Sequence, residues 1–362
     1  MIKKYDLFIE NLDSDLNIAN YRDVLDEEWN MNVYYSIEHL KYFTETNQSV
    51  KYFTFNKNNK SIIVLPLIFR KIEIKDENES YYDVVSPYGY SGPLLKQEVS
   101  KDDIIEFWKQ VDLWYKENNV ISEFIRFSLD NNHTQYSGKL IPSLSNIRGN
   151  LLIDFEDQWE LFLPKVRNNY RRATQNSLKF KLFDKAEINK DIITVFYEIY
   201  TDTMKRNKAS QFYFFSIDYF ENLILGNPNV FSIAISYFED KPVSVELIIN
   251  YLGTIYAFLG GTNSEYFSIR PNDFLRVEII KWAINMNKKY YILGGGMKDG
   301  DGLHKYKKSL FPKDKEVIFY TGRKVINQEL YDKLCETSCN TYKSIHKNDL
   351  DNYFFPYYRT KK

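Results

Sequence analysis

Hydrophobic and polar positions along this chain lay out one order of elements twice. From Val50, KYFTFN and SIIVLPLIFRKIEI are rich in β-branched and aromatic residues on either side of Lys57-Asn58-Asn59-Lys60, which predicts a hairpin. YYDVVSPYGYSGPLL (81–95) begins as a strand, and Pro87, Gly89, Gly92 and Pro93 end it after Val85. Asp102 or Asp103 is the expected cap of a helix with Ile105, Trp108, Val111 and Trp114-Tyr115 on one face. SEFIRFSL (122–129) closes this half as a strand. The second half follows suit. FSIAISYFED and KPVSVELIINYLG predict a hairpin around Glu239-Asp240-Lys241, and TIYAFLGG a further strand. Asn272 or Asp273 is the expected cap of a helix with Leu275, Ile279, Ala283 and Met286 at helical spacing, and YYIL is the closing strand.

The remaining segments fit around these two halves. Asp26-Glu27-Glu28-Trp29 is read as closing one early helix, and Ser36 as capping the next, with His39 as a packing residue. LLIDF (151–155) reads as a strand and EDQWELFLPKVRNNYRRATQNS as helical. Pro164 in that run means either a kink or a helix that starts there. A helix over 191–206 carries Ile192, Phe196, Ile199 and Tyr200 inward. VIFYTGRKV is the last strand, and Gln328 to His346 a terminal helix. The expected fold is mixed α+β in two similar domains, 1–150 and 151–326, with 327–362 a C-terminal helix and tail packing back on the body. The repeat is one of architecture, since residue-level similarity between the halves is negligible.

Composition narrows the function classes. With 362 residues there is room for two domains, and 44% hydrophobic content suits a sizeable core. A net charge of −1 supplies no global field for nucleic acid or membrane, so such binding needs a local patch. Cys335 and Cys339 lie one helical turn apart and form no disulfide framework, which favours a reducing cytoplasm. The four histidines show no metal-ligand spacing, and no metal is expected. The N-terminus carries early acids and lacks the apolar run of a secretory signal, and no stretch approaches membrane-spanning length.

Five stretches carry residue types suited to chemistry. In FLGGTNSEYFSIRPNDFL, Gly260-Gly261 end a strand, and Arg270 and Asn272 open a helix whose N-terminal amides suit a phosphate or a developing anion. In LGGGMKDGDGLHKYKK, Gly294, Gly295 and Gly296 allow close backbone approach, and Lys298, Lys305 and Lys307 follow, with Asp301 capping a short helix. SPYGYSGPLL presents Tyr88 and Tyr90 beside Asp83, a candidate general base. Lys165, Arg167, Arg171 and Arg172 form a basic run that suits RNA or other phosphates. Arg206 and Tyr213 are polar groups within an aromatic stretch at 201–220. Each of these also has an ordinary structural explanation as a turn, a solvated helix face or core.

LPLIFRKIE, VVSPYGYSGPLL, SEFIRF, RNNYRRATQNSLKF, FLGGTNSEY…RPNDFL, ILGGG…DGLHKYKKSLFP and FYTGRKVINQELYDKL together resemble the FemAB-like peptidoglycan-bridge aminoacyltransferases of the GNAT superfamily. The resemblance implies two tandem GNAT-like domains and direct transfer of an activated acyl group to an amine. Its co-substrate would be aminoacyl-tRNA or acyl-CoA, with no tightly bound cofactor. The acceptor would be a muropeptide or an amino sugar, and peripheral membrane association would follow if that acceptor is lipid-linked. By position, Lys307 matches a lysine placed to stabilise the transfer, and Arg206 and Tyr256 fall where acceptor contacts are expected. For such a transfer Asp83 is the expected proton acceptor, and Tyr90 and Arg126 would join Arg206 and Tyr256 in positioning the acceptor. Two departures stand out: Arg270-Pro271-Asn272-Asp273-Phe274-Leu275 lacks the acetyl-CoA loop pattern, and no coiled-coil arm is present. A GNAT-like module that binds RNA or a glycan precursor without catalysis is the alternative.

Overall fold

Residues 4–25, 29, 32–74, 79–337 and 356–359 are described by the computed structural model, and their contacts divide the chain into two units. The first runs from the N-terminus to Ser143, except Met31–Val33, and takes in the chain again from Ile318. The second is Leu144–Val317 with Met31–Val33.

In the first unit β1 (Tyr5–Asn11), β2 (Gln48–Lys57), β3 (Lys60–Ile72), β4 (Tyr81–Val85), β6 (Val120–Arg126) and β13 (Val317–Val325) lie in that order, with β5 (Leu94–Leu95) on β3. Asn58 and Asn59 turn β2 into β3 with φ of 52° and 63°. A two-residue hairpin loop of this hand needs positive φ at both positions, which asparagine tolerates. β4 and β6 are parallel, so they need a crossover, and α3 (Lys101–Glu117) supplies it. Its Phe107, Trp108, Val111 and Tyr115 are buried with Phe53, Phe55, Leu65 and Phe69. Each such side chain contributes about 1.5–3 kcal/mol of burial. Ser100 caps α3: its hydroxyl accepts from the Asp103 amide (3.3 Å), and Asp103 accepts from the Ser100 amide (3.0 Å). Ser100→Ala is expected to cost about 1 kcal/mol. Urea denaturation reads this, and an unchanged midpoint would show that the cap is dispensable. The short α1 (Asp15–Val24) and α2 (Ile37–Tyr42) precede the hairpin. Ser36 caps α2 through the His39 amide at 3.3 Å. His39 is fully buried, and burial lowers it to about 4, so it is a neutral core residue.

β7 (Lys139–Asn150) carries the chain from the first unit into the second. There it is followed across the sheet by β12 (Tyr290–Gly294), β11 (Thr254–Thr262), β10 (Lys241–Tyr251), β9 (Phe231–Phe238) and β8 (Lys179–Asp184). The hairpin turn Glu239-Asp240 has both residues at positive φ. β11 and β12 are parallel, with α8 (Pro271–Asn285) as their crossover. They pair only at Thr254↔Tyr290, Ile255↔Tyr291 and Tyr256↔Ile292. From Ala257 onward β11 is paired with β10 alone, across a bulge that leaves Phe258 unmatched. The sheet is therefore forked at Tyr256. Leu275, Ile279, Ile280 and Ala283 of α8 are buried with Ile248, Ile255, Tyr291 and Leu293 of the strands. The other helices are α4 (Phe155–Leu161), α5 (Pro164–Gln175), α6 (Lys190–Arg206), α7 (Ile217–Gly226) and α9 (Gly302–Leu310), and α10 (Gln328–Thr337) returns to the first unit.

The mixed α+β class stands, and several local expectations are corrected. Residues 151–154 form no strand: β7 over 139–150 is the element, and LLIDF leads into α4. The run around Pro164 is two helices, with Pro164 at the first turn of α5, where its missing N–H costs nothing. Ser100, not Asp102 or Asp103, caps α3, and Ile105 is exposed. Arg270, not Asn272 or Asp273, occupies the cap position of α8, and Met286 lies exposed beyond its end. Ile193 rather than Ile192 is the buried residue at the start of α6. β1, β8 and α7 were not foreseen. The expected close of an early helix at 26–28, the terminal helix beyond Thr337, Cys339 and His346 lie outside the described residues.

Candidate functional site

The fork between β11 and β12 places a buried charge cluster in the second unit. Glu246, on β10 opposite Gly260, is 2% exposed within the apolar run Val245 to Ile249. Its carboxylate forms an ion pair with Arg276 of α8 and accepts from the hydroxyl of Tyr291 on β12. Arg276 also donates to that hydroxyl at 2.6 Å. Burial, only partly opposed by Arg276, raises the Glu246 carboxyl. One turn before Arg276, the side-chain amide of Asn272 donates to the Tyr306 hydroxyl of α9 (2.9 Å), tying the two helices together. Burial raises the Tyr306 phenol well above its ordinary value.

Lys307 follows Tyr306. Its amino group donates to the carbonyl of Gly295, just past the end of β12, at 2.6 Å. Burial first, and the Arg276 charge second, lower it to about 8. An ammonium has three N–H donors, and one is used here. The other two are available to a developing oxyanion, in a setting where the charge is worth more than in water.

The loop before α9 is built around one carboxylate. Asp301 accepts from the amides of Met297 (2.7 Å), Lys298 (3.2 Å) and His304 (2.7 Å), which hold its carboxyl below the ordinary range. A Cβ on Gly296 would stand 2.2 Å from that carboxylate, so a side chain there would push Asp301 off its amides. Gly294 has φ of +73°, and Gly295 abuts the Ser145 carbonyl. On the other arm of the fork, Gly261 lets α6 approach: a Cβ there would lie 2.5 Å from the Ile199 carbonyl. Arg206 of α6 donates to the Thr262 carbonyl at 2.8 Å and stacks on Phe267. Gly260 sits against the Val245 carbonyl, and Tyr256 is largely buried at the parting point.

The N-terminus of α8 carries an acid of its own in the first turn. Arg270 is left-handed (φ 61°) and makes no side-chain cap. Asp273, in the first turn, is half-buried with Asn169, Arg270 and Lys165 around it, and desolvation raises its carboxyl. An acid at this end is favoured by the helix dipole.

The basic run on α5 is partly committed to structure. Arg167 donates to the carbonyls of Trp159, Glu160 and Phe162 (3.3, 2.9 and 2.6 Å), satisfying the end of α4. Arg171 lies over the Trp159 ring at 5.4 Å. Lys165 and Arg172 are exposed, as are Lys298 and Lys305. Tyr213 is on the surface, its carbonyl accepting from Tyr200 at 2.5 Å.

The first unit holds the other residues singled out by sequence. Asp83 is fully buried on β4. Arg70 donates to it at 2.5 Å, Tyr358 at 3.2 Å, and Arg359 forms a third contact. With both oxygens engaged by guanidinium groups, it is arranged as an anchor for residues 356–359. The Tyr88 carbonyl accepts from His39 at 2.8 Å, Tyr90 packs edge-on to Tyr34 and Phe319, and Arg126 reaches the Ser86 carbonyl at 3.4 Å.

Sequence reasoning thus missed Glu246, Arg276, Tyr291 and Tyr306. A carboxylate inside VSVELIIN and an arginine one turn after Asn272 were visible signals, because a charge in an apolar run must find a partner. That the partner is Arg276 depends on the crossover packing.

Residues 164–308 match the family model of the acetyltransferase (GNAT) domain, a span that contains the fork, α8 and Lys307. No curated protein matches the sequence. Among solved structures, the chain is similar to FemX (11% identity, 90% of this chain and 99% of that one, TM-score 0.62). It is also similar to the C-terminal domain of a putative lysylphosphatidylglycerol synthetase from Agrobacterium fabrum (11% identity, 88% and 94%, TM-score 0.56). A third is L-PGS from Bacillus licheniformis (14% identity, 87% and 94%, TM-score 0.55). At these identities the likeness is one of fold, and it spans both units. Among the described residues no helix is long and apolar enough to cross a membrane.

Proposed function

We propose that this GNAT-fold acyltransferase moves an activated acyl or aminoacyl group onto an amine of a cell-envelope precursor, a muropeptide or an amino sugar. The observation that carries the reading is Lys307: a half-buried ammonium held by the Gly295 carbonyl beside a forked sheet, with two donors to spare. Attack of an amine on an acyl carbon turns the carbonyl oxygen into an oxyanion, and an ammonium with unspent donors stabilises it more than the ground-state carbonyl. The amine must also shed a proton. For Asp83 to accept it, Arg359 would first have to leave that carboxylate.

Aminoacyl-tRNA is the preferred donor. The start of α8 lacks the glycine loop that admits a pyrophosphate, and its first turn carries an acid, Asp273, which disfavours a phosphate there. Likeness to FemX and to lysylphosphatidylglycerol synthetases supports envelope chemistry. An acyl-CoA donor keeps its place because the family model is an acetyltransferase domain. A tRNA backbone would use Lys165, Arg171 and Arg172, the exposed members of the basic run. The cytoplasm is the compartment that supplies either donor.

The test offers aminoacyl-tRNA or acetyl-CoA with a UDP-linked muropeptide or an amino sugar, and weighs the product by mass spectrometry. Aminoacylated product from the tRNA donor is the expected result. Acetylated product from acetyl-CoA alone would transfer the assignment to a CoA-dependent N-acetyltransferase. Binding of both substrates without product would identify a non-catalytic module.

A further inference from the structure

Lys307 makes one hydrogen bond among the described residues, to the Gly295 carbonyl at 2.6 Å. A lysine is a compact charge on a flexible stem, with rotatable donors. The carbonyl therefore fixes where this ammonium stands and which donors stay unspent. Carbonyl and lysine belong to different parts of the chain. Gly295 opens the loop after β12, Lys307 lies on α9, and the loop 295–301 runs up to the start of that helix. Whatever holds the loop against α9 also holds this bond.

The Asp301 carboxylate does so. One of its oxygens faces the loop and accepts from the amides of Met297 (2.7 Å) and Lys298 (3.2 Å). The other faces the helix and accepts from the amide of His304 (2.7 Å). An ordinary N-cap needs only the contact to the helix. Gly296 makes room for the contacts to the loop: a Cβ there would stand 2.2 Å from one carboxylate oxygen and 2.7 Å from the other. On its far side the loop is tied to β7, where Asp299 accepts from the Ser145 amide (2.8 Å) and hydroxyl (3.3 Å). The loop thus has a seat on the sheet that does not depend on Asp301. What Asp301 adds is the register between Gly295 and α9.

We propose that Asp301 is a positioning residue for acyl transfer: by clasping the loop to α9 it holds the Gly295 carbonyl against the Lys307 ammonium and so aims the remaining donors. Its value to turnover rests on the acyl-transfer reading above. The clasp itself is a matter of geometry and stands apart from that reading.

Two glycines of the same segment test the clasp without changing any charge. Gly296→Ala puts a methyl group where the carboxylate lies, whereas Gly302→Ala adds one to open space, with no atom within 4 Å. The first readout needs no substrate. It is the rate at which an amine-selective acylating reagent modifies Lys307 at fixed pH, followed by peptide mass spectrometry. Gly296→Ala is expected to raise this rate several-fold, because an amine released from its carbonyl is more exposed and loses its proton more readily. Gly302→Ala should label as wild type does. Equal rates in Gly296→Ala and wild type overturn the proposal.

The second readout is turnover in a double-mutant cycle. With Lys307 present, Gly296→Ala is expected to lower kcat about 10- to 100-fold and to change KM less. In Lys307→Ala it should lower kcat no further, because no ammonium is left to aim. A further loss of the same size there would make the clasp merely structural and overturn the proposal. Asp301→Ser keeps a cap on α9 but cannot span from helix to loop with its single short hydroxyl, so it should behave as Gly296→Ala does. It carries the test if Gly296→Ala fails to fold, and wild-type behaviour of Asp301→Ser would reduce Asp301 to a cap. Loss of the acyl-transfer reading appears separately, as a wild-type protein that transfers nothing while its Lys307 labelling still responds to Gly296→Ala.

Discussion

Lys307→Ala is expected to lower turnover about 100- to 1000-fold while leaving the protein folded, the usual loss when one donor to an oxyanion is removed. The side chain is half-buried and makes one hydrogen bond, to the Gly295 carbonyl, so truncation removes little packing. KM should change less than kcat, since the donors matter most once charge has developed. Circular dichroism and initial rates on the same preparation decide the matter, and a folded variant within a few-fold of wild type would remove Lys307 from the mechanism. The pH profile gives a second reading. If the ammonium form is active, turnover falls as pH rises through about 8, where burial and Arg276 have brought this lysine. Lys307→Arg keeps a charge that does not titrate, so it should lose this alkaline limb even if slower overall. The linkage to stability has the opposite sense. Between about 8 and the unfolded lysine value near 10.4, the unfolded chain binds a proton at this position that the folded chain does not. This group therefore adds stability as pH rises through that window.

Lys324→Met is expected to cost about 3 kcal/mol, the largest loss of stability we anticipate from one substitution. Lys324 on β13 is 9% exposed and reaches Asp112 at 2.5 Å and the fully buried Glu123 at 3.2 Å. Its ammonium stands over the rings of Trp108 (4.7 Å), Tyr136 (4.9 Å) and Tyr115 (5.7 Å). Methionine fills the aromatic cage but leaves Glu123 with only the hydroxyls of Tyr115 (2.5 Å) and Tyr136 (2.7 Å). An unpaired charge in that position is the costly part, more than the lost attraction. Adding Glu123→Gln to Lys324→Met should recover most of the loss. Urea denaturation of the two single variants and the double variant measures the coupling. A drop below about 1 kcal/mol for Lys324→Met would mean that water or another donor reaches Glu123.

Elements governed by local chemistry were legible in the sequence. Both hairpins announce themselves by alternating apolar strands around Asn58-Asn59 and Glu239-Asp240, and the structure puts all four residues at positive φ. Asp301 shows itself as a cap, and Pro164 as either a kink or a helix start, of which the structure has the second. Less local features did not show. β7 was hidden because KLIPSLSNIRGN carries a proline, a glycine and few large apolar residues, while LLIDF next to it looks more strand-like and is not. Of the site, the Lys307 segment was visible through its glycines and lysines. The buried ion pair was not, because Glu246, Arg276 and Tyr291 come from three elements whose meeting depends on the parallel crossover. Arg167 was visible as a charge and misleading as one, since its donors close the end of a helix.

The first unit is written in two pieces, with the second unit between them. Synthesis runs from N- to C-terminus, so all of Leu144–Val317 has left the ribosome before β13 exists. Until then β6 is an open edge, with the β13 partners of Ser122 to Arg126 not yet made, and Glu123 waits without its lysine. The acetyltransferase-type domain can be complete while its neighbour is still one strand short. A chain terminated early would therefore keep the fork, α8 and Lys307 and expose an unpaired edge strand, the feature that recruits other chains.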